Sequence, residues 1–216
     1  MKLLVLGASG GCGRWVVRLA AERGHTVTAV VRSQTAYEAP EGVEVVRGEV
    51  VEKDFLAPFL ADHEVIISCL GQRRANPAPW SKLLSPPDLV QTVAKNLAGV
   101  IPGTPVRRLV WISAGGVGDS HAMATPTIQR MIRMGKVGIA YRDLNRAEEV
   151  LNAEGIANLS VRPVTLLPGM PKGNAVPAEK YGLFSTIRRS DVAKWMVDVA
   201  DGTVDCPAST VLLGTR

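Results

Sequence analysis

The sequence has little of what several classes of protein require. It contains three cysteines, with no Cys-x-x-Cys pair and no cysteine–histidine cluster, so we expect neither a disulfide framework nor a metal site. Aromatic residues make up only 5%, too few for the stacking surfaces that bind single-stranded nucleic acid. No apolar run reaches about 18 residues, and the run at residues 3–6 is too short for a secretory signal. We therefore expect a cytoplasmic protein that binds neither nucleic acid nor membrane.

Basic residues are in excess, but they are not concentrated in one segment. The formal net charge is +5 at pH 7. No basic run is long enough for a nucleic-acid arm or a polybasic membrane anchor. The basic residues occur instead in short pairs, at Arg73-Arg74, Arg107-Arg108 and Arg188-Arg189. The excess charge has two interpretations, a solvated surface that favours solubility and a preference for ligands that carry phosphate.

Short β-branched runs alternate with helical segments along the whole chain. Apolar spacing predicts helices at residues 14–22, 55–60, 89–101, 137–153 and 192–200. Strands are predicted at residues 3–6, 26–31, 43–47, 64–69, 107–112, 159–162 and 210–213, and long loops at residues 72–88, 115–127 and 168–187. The pattern predicts an α/β fold, a single doubly wound Rossmann domain over residues 1–216. We expect a mostly parallel sheet and a small C-terminal substrate region.

A glycine-rich turn directly follows the first predicted strand and opens the first predicted helix. Gly7 allows a sharp turn, Gly10 lets the backbone approach a pyrophosphate, and Gly13 lets the helix pack closely on the strand. The free N–H groups and dipole at the helix N-terminus favour the negative charge of a diphosphate. The predicted binding turn consists of Gly7, Ala8, Ser9, Gly10, Gly11, Cys12 and Gly13.

The end of the second strand bears on the choice between NAD and NADP. NAD enzymes usually place a carboxylate there, which accepts hydrogen bonds from the ribose hydroxyls. This chain has Val31-Arg32-Ser33 and no acid at that point. Arg32 could hold a 2′-phosphate through charge-assisted hydrogen bonds, or it could be a surface arginine. The sequence favours NADP(H) as the cofactor.

Further segments share a pattern with a known family. These segments are Val30-Val31-Arg32, Gly48-Glu49-Val50, Cys69-Leu70-Gly71, Trp111-Ile112-Ser113-Ala114, Val161-Arg162-Pro163 and Arg189-Ser190-Asp191-Val192-Ala193. With the glycine turn, they resemble atypical short-chain dehydrogenases/reductases, and more closely the NAD(P)H-binding branch that holds biliverdin-IXβ/flavin reductase and NmrA-like proteins. The resemblance covers nearly the whole chain. Its first half is specific for cofactor binding, and its second half specifies a branch rather than a substrate.

The resemblance implies positions for the adenosine and phosphate parts of the cofactor. The pyrophosphate would lie on the turn from Gly7 to Gly13, and the 2′-phosphate on Arg32. Glu49 and Val50 would lie beside the adenine, although the family more often has aspartate at the position of Glu49.

The nicotinamide side is implied in the same way. Leu70 and Gly71, preceded by Cys69, would pass under the ribose on that side. Ser113 would lie at the end of the fifth strand and face the nicotinamide and the substrate. Pro163 completes the set of implied cofactor-binding residues.

The chain departs from the family at its usual catalytic pair. Orthodox members use Tyr-x-x-x-Lys, in which the tyrosine donates a proton while the lysine lowers its pKa and holds the ribose. Tyr141 is followed by Asn145 in the lysine place, and an alternative register set by residues 148–155 puts Ala140 and Leu144 in the two places. The flavin-reductase-like branch can have histidine at the Leu144 position, which is also missing. A tyrosine without assistance, with a pKa of about 10, is a poor acid or base at neutral pH.

This departure argues against ordinary alcohol or ketone chemistry. Hydride transfer to a flavin or quinone needs mainly proximity and orientation, and solvent could supply the proton. The resemblance therefore implies an NADPH-dependent reductase of a small, conjugated acceptor, working as a monomer or homodimer. Two alternatives stay open: a non-catalytic, NmrA-like sensor of NADP(H) that binds a protein partner, and a specialised biosynthetic reductase or isomerase.

Two residues are candidates for a catalytic role. Ser113 could donate a hydrogen bond to the acceptor, or it could be a structural hydroxyl near the nicotinamide amide. Tyr141 could donate a proton, line the pocket or pack on the surface.

Overall fold

The alternating pattern folds into strands and helices over most of the chain. The computed structural model describes residues 1–76, 78 and 80–216, so Pro77 and Pro79 of the predicted loop at residues 72–88 lie outside the described residues. The strands are β1 (Lys2–Leu6), β2 (Thr26–Val31), β3 (Glu44–Arg47), β4 (Val65–Ser68), β5 (Arg108–Ile112), β6 (Asn158–Pro163), β7 (Thr165–Leu167), β8 (Ala175–Pro177), β9 (Thr186–Arg188) and β10 (Thr210–Thr215). The helices are α1 (Gly13–Glu22), α2 (Lys53–Leu60), α3 (Leu89–Val100), α4 (Pro126–Met134), α5 (Val137–Ala153) and α6 (Arg189–Ala200).

Eight of these strands form one sheet, in the order β3-β2-β1-β4-β5-β6-β10-β8. Neighbouring strands are parallel except for the pair β10 and β8. Leu3, Leu4 and Val5 of β1 are fully buried, and so are the apolar residues of β4. Helices therefore cover both faces of the central strands, as the continuous apolar runs predict. This α/β, doubly wound arrangement is the predicted Rossmann fold.

Two apolar clusters, one on each face of the sheet, lie between the sheet and the helices that cover it. On one face of the sheet, α1 and α6 pack against the strands, with Val16 and Met196 among the fully buried residues. On the other face lie α2, α3 and α5, with Leu97 and Leu151 among the fully buried residues. The chain reverses its direction of winding between β1 and β4, which are neighbours in the sheet. Their carboxyl ends therefore border the crevice in which doubly wound sheets bind ligands.

Two of the predicted long loops contain regular structure, and the prediction was wrong there. The segment at residues 115–127 contains a 3-10 turn, Gly118–His121, and the start of α4 at Pro126. The segment at residues 168–187 contains β8 and the start of β9, and β9 pairs with β7 in a separate two-stranded sheet. These strands have only three residues each, too few to show an alternating pattern. They belong to the small C-terminal region that the sequence predicted, but the sequence did not predict that this region contains strands.

No helix within residues 1–76, 78 and 80–216 combines the length and the apolarity needed to span a membrane.

Candidate functional site

The main cavity, of about 590 Å³, lies at the carboxyl ends of the central strands. It extends from the end of β2, past the turn after β1 and the end of β4, to the end of β5. Most of the residues predicted to bind the cofactor line it. They are Gly7, Ser9, Gly10, Gly11, Cys12, Arg32, Glu49, Val50, Cys69, Leu70, Gly71 and Ser113.

Four predicted residues are not among those that line the cavity. Ala8 and Gly13 belong to the turn but do not line the cavity; a Cβ atom on Gly13 would overlap the carbonyl oxygen of Gly7 and lie 2.8 Å from Ala8 Cα. Pro163 ends β6, where its carbonyl oxygen accepts a hydrogen bond from the Gly115 N–H at 2.9 Å. The fourth is Tyr141.

Backbone contacts fix the glycine turn between three strands. Gly7 has a φ of +73°, and a Cβ atom there would lie 3.1 Å from the carbonyl group of Cys69. The Ala8 N–H donates to Val30 O at 3.2 Å, and the Cys69 N–H donates to Leu6 O at 2.9 Å. The helix α1 begins at Gly13 and has no acidic side chain in its first turn. Its positive end is therefore available to an anion in the cavity.

The side chain of Arg189, which is distant in sequence, places a cation beside this turn. It is the first residue of α6, and a Cβ atom on Gly11 would lie 2.7 Å from Arg189 Cδ and 3.0 Å from its Nε. Burial raises the pKa of the Cys12 thiol to about 12, although the charge of Arg189 acts to lower it. The cavity wall therefore carries a guanidinium beside a neutral thiol. The sequence prediction missed this contact because nothing local to residue 189 indicates that α6 starts against the first turn.

The cavity continues into a second space, of about 550 Å³, beyond the end of β2. Arg32 and Arg73 both line it, together with Gln34, Thr35 and Glu49. Arg47 donates a hydrogen bond to Thr35 O at 2.6 Å, which holds the segment after β2. Arg32 was predicted to lie here from its place in the sequence. Arg73 comes from the segment after β4 and was recognised only as part of a basic pair.

Ser113 lies at the opposite end of the cavity, directly after β5. Its N–H donates to Val161 O at 2.6 Å, which fixes the backbone of this strand end. The residue is only 7% exposed, and its Oγ has no hydrogen-bond partner among the described residues. Ile112, Leu144 and Leu166 line the cavity around it. A polar atom buried without a partner is costly, so a ligand that hydrogen bonds with this hydroxyl would be favoured.

Tyr141 lies behind the glycine-rich segment that follows Ser113. A Cβ atom on Gly116 would lie 3.0 Å from Tyr141 Cε1 and 2.6 Å from Tyr181 Oη. Burial raises the pKa of Tyr141 to about 12, although Arg74 acts to lower it. Asn145, one turn further along α5, donates to Glu149 at 2.6 Å. Tyr141 is therefore held in its protonated form at neutral pH.

A buried ion pair supports this end of the site. Arg162 of β6 donates from Nε and Nη2 to the carboxylate of Glu148 on α5, at 3.2 and 2.5 Å. Arg162 also donates to Asp119, which belongs to the 3-10 turn after β5. Arg162 and Glu148 are both almost completely buried. The pair therefore fixes the segment after Ser113 against α5 and β6.

Comparison with known proteins places the chain in a family. A family model described as NAD(P)H-binding matches residues 7–203. The oxidoreductase AgnL4 from Paecilomyces divaricatus is 23% identical over 211 residues, which cover 93% of this chain and 80% of that protein.

Solved structures also share the fold, among them these two. The anaerobillin reductase ChuY from Escherichia coli O157:H7 has a TM-score of 0.76 and 23% identity, and the alignment covers 99% of this chain and 96% of ChuY. A candidate NADH-flavin reductase from Streptococcus pneumoniae TIGR4 has a TM-score of 0.73 and 22% identity over the whole of both chains. Because the family model spans most of its length, this chain belongs to the NAD(P)H-binding family.

Proposed function

We propose that this protein is an NADPH-dependent reductase that transfers a hydride to a conjugated acceptor such as a flavin or quinone. The observation that carries the proposal is the continuous cavity from Arg32, across the glycine turn, to the hydroxyl of Ser113, which has no hydrogen-bond partner among the described residues. The cavity passes the ends of four neighbouring strands, which suits a dinucleotide, with phosphate-binding groups at one end and in the middle. The reactions named for two structural neighbours, an anaerobillin reductase and a candidate NADH-flavin reductase, support an acceptor of this class.

The phosphate groups of the dinucleotide would be held at two places. Arg32 and Arg73, which line the same space, would pair with the 2′-phosphate, which favours NADPH over NADH. The pyrophosphate would lie on the N–H groups of Gly11 to Gly13, because the Gly10 N–H already donates to Gly7 O, and the guanidinium of Arg189 would lie beside it. The protein thus supplies binding and alignment, which is its part in a cofactor-dependent reaction.

At the Ser113 end of the cavity, the chemistry depends on how the side chains position the cofactor and the acceptor. When bound, NADPH supplies the hydride. Ser113 would donate a hydrogen bond to the acceptor or to the nicotinamide amide, and Leu144 and Leu166 would exclude water around it. Tyr141 keeps its proton because its pKa is raised to about 12 and Asn145 stands in the place of the family's lysine. Solvent would therefore supply the proton, which suits a flavin or quinone better than a ketone.

One observation favours a second candidate function, a non-catalytic sensor of NADP(H). Tyr141 is not among the residues that line the cavity, and the lysine of the family's pair is replaced. A sensor needs the cofactor site and a protein partner but no acid. It would bind NADPH without oxidising it in the presence of any acceptor.

The test is NADPH oxidation measured with a panel of FMN, riboflavin and menadione. We expect turnover with at least one acceptor, and we expect Ser113→Ala to lower kcat by about tenfold, the effect of one hydrogen bond. Ser160→Ala is the matched control, because Ser160 is also buried and its Oγ also has no partner in the described part of the chain, but Ser160 does not line the cavity. Binding of NADPH without turnover would support the sensor instead, and lack of binding would overturn both.

A further inference from the structure

Arg74 belongs to a short hairpin at the edge of the main cavity. The Ala75 N–H donates to Lys82 O at 3.0 Å, and the backbone of Arg74 pairs with that of Leu83 in an antiparallel manner. Arg73 and Arg74 both line the main cavity, and Arg73 also lines the space beyond β2, whereas Arg74 does not. Successive side chains of an extended segment point to opposite sides. The two arginines therefore border different parts of the cavity.

The side chain of Arg74 is half-buried, and its charge is not neutralised within the described part of the chain. Its Nη2 donates to Ala78 O at 2.6 Å and, at the longer distance of 3.4 Å, to Ser81 O. Arg74 takes part in none of the ion pairs found among residues 1–76, 78 and 80–216. Because a guanidinium cannot lose its proton, an anion in the adjoining cavity would be favoured.

Tyr141 indicates on which side of the cavity the charge of Arg74 lies. The charge of Arg74 acts to lower the pKa of Tyr141, although burial outweighs it, so the two side chains are close enough to interact. Leu144, three positions further along α5, lines the cavity. The guanidinium of Arg74 therefore lies towards α5. Tyr141 keeps its proton at neutral pH, so it brings no negative charge to this side.

The anionic groups of the cofactor have other partners in the proposed function. The 2′-phosphate pairs with Arg32 and Arg73 beyond β2, and the pyrophosphate lies on the glycine turn beside Arg189. Arg74 lies instead towards α5, at the end of the cavity that Leu144 borders and where hydride transfer is proposed. The anion left for Arg74 is therefore one that the second substrate carries.

We propose that Arg74 binds an anionic substituent of the hydride acceptor, a carboxylate or a phosphate, and that the protein thereby selects acceptors that carry one. This inference rests on the proposed function for the place of hydride transfer. The conjugated ring would occupy the apolar end of the cavity, and the anionic oxygens would pair with the guanidinium.

The test compares acceptors that share a ring and differ in charge, at saturating NADPH. FMN is paired with riboflavin, and carboxymethylflavin with lumiflavin, so that a phosphate and a carboxylate are tested separately. We expect the kcat/KM of the wild-type protein to be about tenfold to a hundredfold higher for the anionic member of at least one pair, the usual effect of a charged hydrogen bond. Arg74→Gln should remove this preference and change the kcat/KM of the neutral member by less than about threefold.

Two further variants separate the charge of Arg74 from its place in the hairpin. Arg74→Lys keeps the charge without the planar donor group, so we expect it to retain part of the preference. Arg108→Gln is the matched control. Arg108 also donates to backbone oxygens, Val199 O at 3.5 Å and Cys206 O at 2.9 Å, but it does not line the cavity. We expect it to leave the preference unchanged.

Three results would overturn the inference. An active wild-type protein could show no preference for the anionic member of either pair. Arg74→Gln could lower kcat/KM equally for charged and neutral acceptors, which would indicate that Arg74 only holds the hairpin. The effect of Arg74→Gln could be confined to the KM of NADPH, which would assign Arg74 to the cofactor.

Failure of the proposed function looks different. If the protein oxidises NADPH with no acceptor, quenching of flavin fluorescence measures binding of the same four flavins to the complex with NADP⁺. Weaker binding of an anionic flavin alone in Arg74→Gln would keep the anion site while refuting the reductase. Equal binding of all four flavins by the wild-type protein and Arg74→Gln would refute both.

Discussion

Single residues set the charge at each part of the cavity. Arg32 and Arg73 line the space beyond β2, and Arg189 lies over the glycine turn. A guanidinium pairs with a phosphate through hydrogen bonds that are stronger than those between neutral groups. Each arginine should therefore affect only the phosphate that it contacts, which makes their contributions separable by the choice of ligand.

Arg32→Ala should change the preference between the two nicotinamide cofactors. We expect it to weaken NADPH binding by about tenfold to a hundredfold, the usual cost of a charged hydrogen bond, and to change NADH binding by less than about threefold. Calorimetry with both cofactors measures the difference. Arg18→Ala, which removes an exposed arginine paired with Glu22, is the control. Equal losses for NADPH and NADH would refute the assignment of Arg32 to the 2′-phosphate.

The residues that could be predicted from the sequence are those whose signal lies within a few positions of the chain. The glycine turn and Arg32 each follow a recognisable strand, so their placement in the cavity could be foreseen. Arg189 and Gln72 reach the same cavity through tertiary contacts with distant segments, Gly11 for one and Asp143 for the other. No local pattern encodes such contacts.

At the scale of elements, the segments with a clear apolar pattern were predicted closely, but α4 and the three-residue strands were not. The helix predicted at residues 137–153 is α5, and the strand predicted at residues 26–31 is β2. By contrast, β7, β8 and β9 form only because β10 and each other provide partners. Three residues contain too little periodicity to distinguish a strand from a loop.

An ion-pair cluster joins the ends of two helices on one face of the sheet. Arg23, at the C-terminal end of α1, donates to Asp198 at 2.5 Å and to Asp201 at 2.7 Å, both at the end of α6. Partial burial acts to raise the pKa of Asp201, but hydrogen bonds from Thr203 and Arg23 outweigh it and lower the pKa to about 2. The folded protein therefore binds the proton at Asp201 less readily than the unfolded chain.

Acid should lower the contribution of this ion-pair cluster to the free energy of unfolding, and Arg23→Ala tests that contribution. Because the pKa of Asp201 is lower in the folded state, its contribution is complete above about pH 4 and is lost as the pH falls towards about 2. We expect Arg23→Ala to lower the free energy of unfolding by about 1–2 kcal/mol at pH 7, and by less at pH 2.5. Urea unfolding at both pH values measures this. Arg18→Ala should cost under about 0.5 kcal/mol, and an equal loss for Arg23→Ala at both pH values would contradict the role of Asp201.

At the scale of the whole molecule, segments far apart in the chain meet around one cavity. The turn after β1, the segment after β4, the end of β5 and the start of α6 all contribute to its wall. A ligand that contacts all of them binds only the folded state. Its binding free energy is therefore added to the stability of the fold as a whole.

NADPH should raise the melting temperature of the protein. At a concentration about 100-fold above Kd, binding adds about 2.7 kcal/mol, which corresponds to about 5–10 °C for a domain of this size. Thermal unfolding followed by circular dichroism measures the shift, with NADH at the same concentration giving a smaller one. A melting temperature that neither cofactor changes would remove the basis for every binding assignment made above.

The contact between Arg189 and Gly11 has a consequence for the order of events during synthesis. The glycine turn leaves the ribosome before α6, and the cation that lies over Gly11 comes from Arg189, 178 positions further along the chain. A nascent chain that lacks α6 would have the glycine turn without the guanidinium that we propose to lie beside the diphosphate. On this proposal, tight binding of the dinucleotide would come late, and it would distinguish the complete fold from an incomplete one.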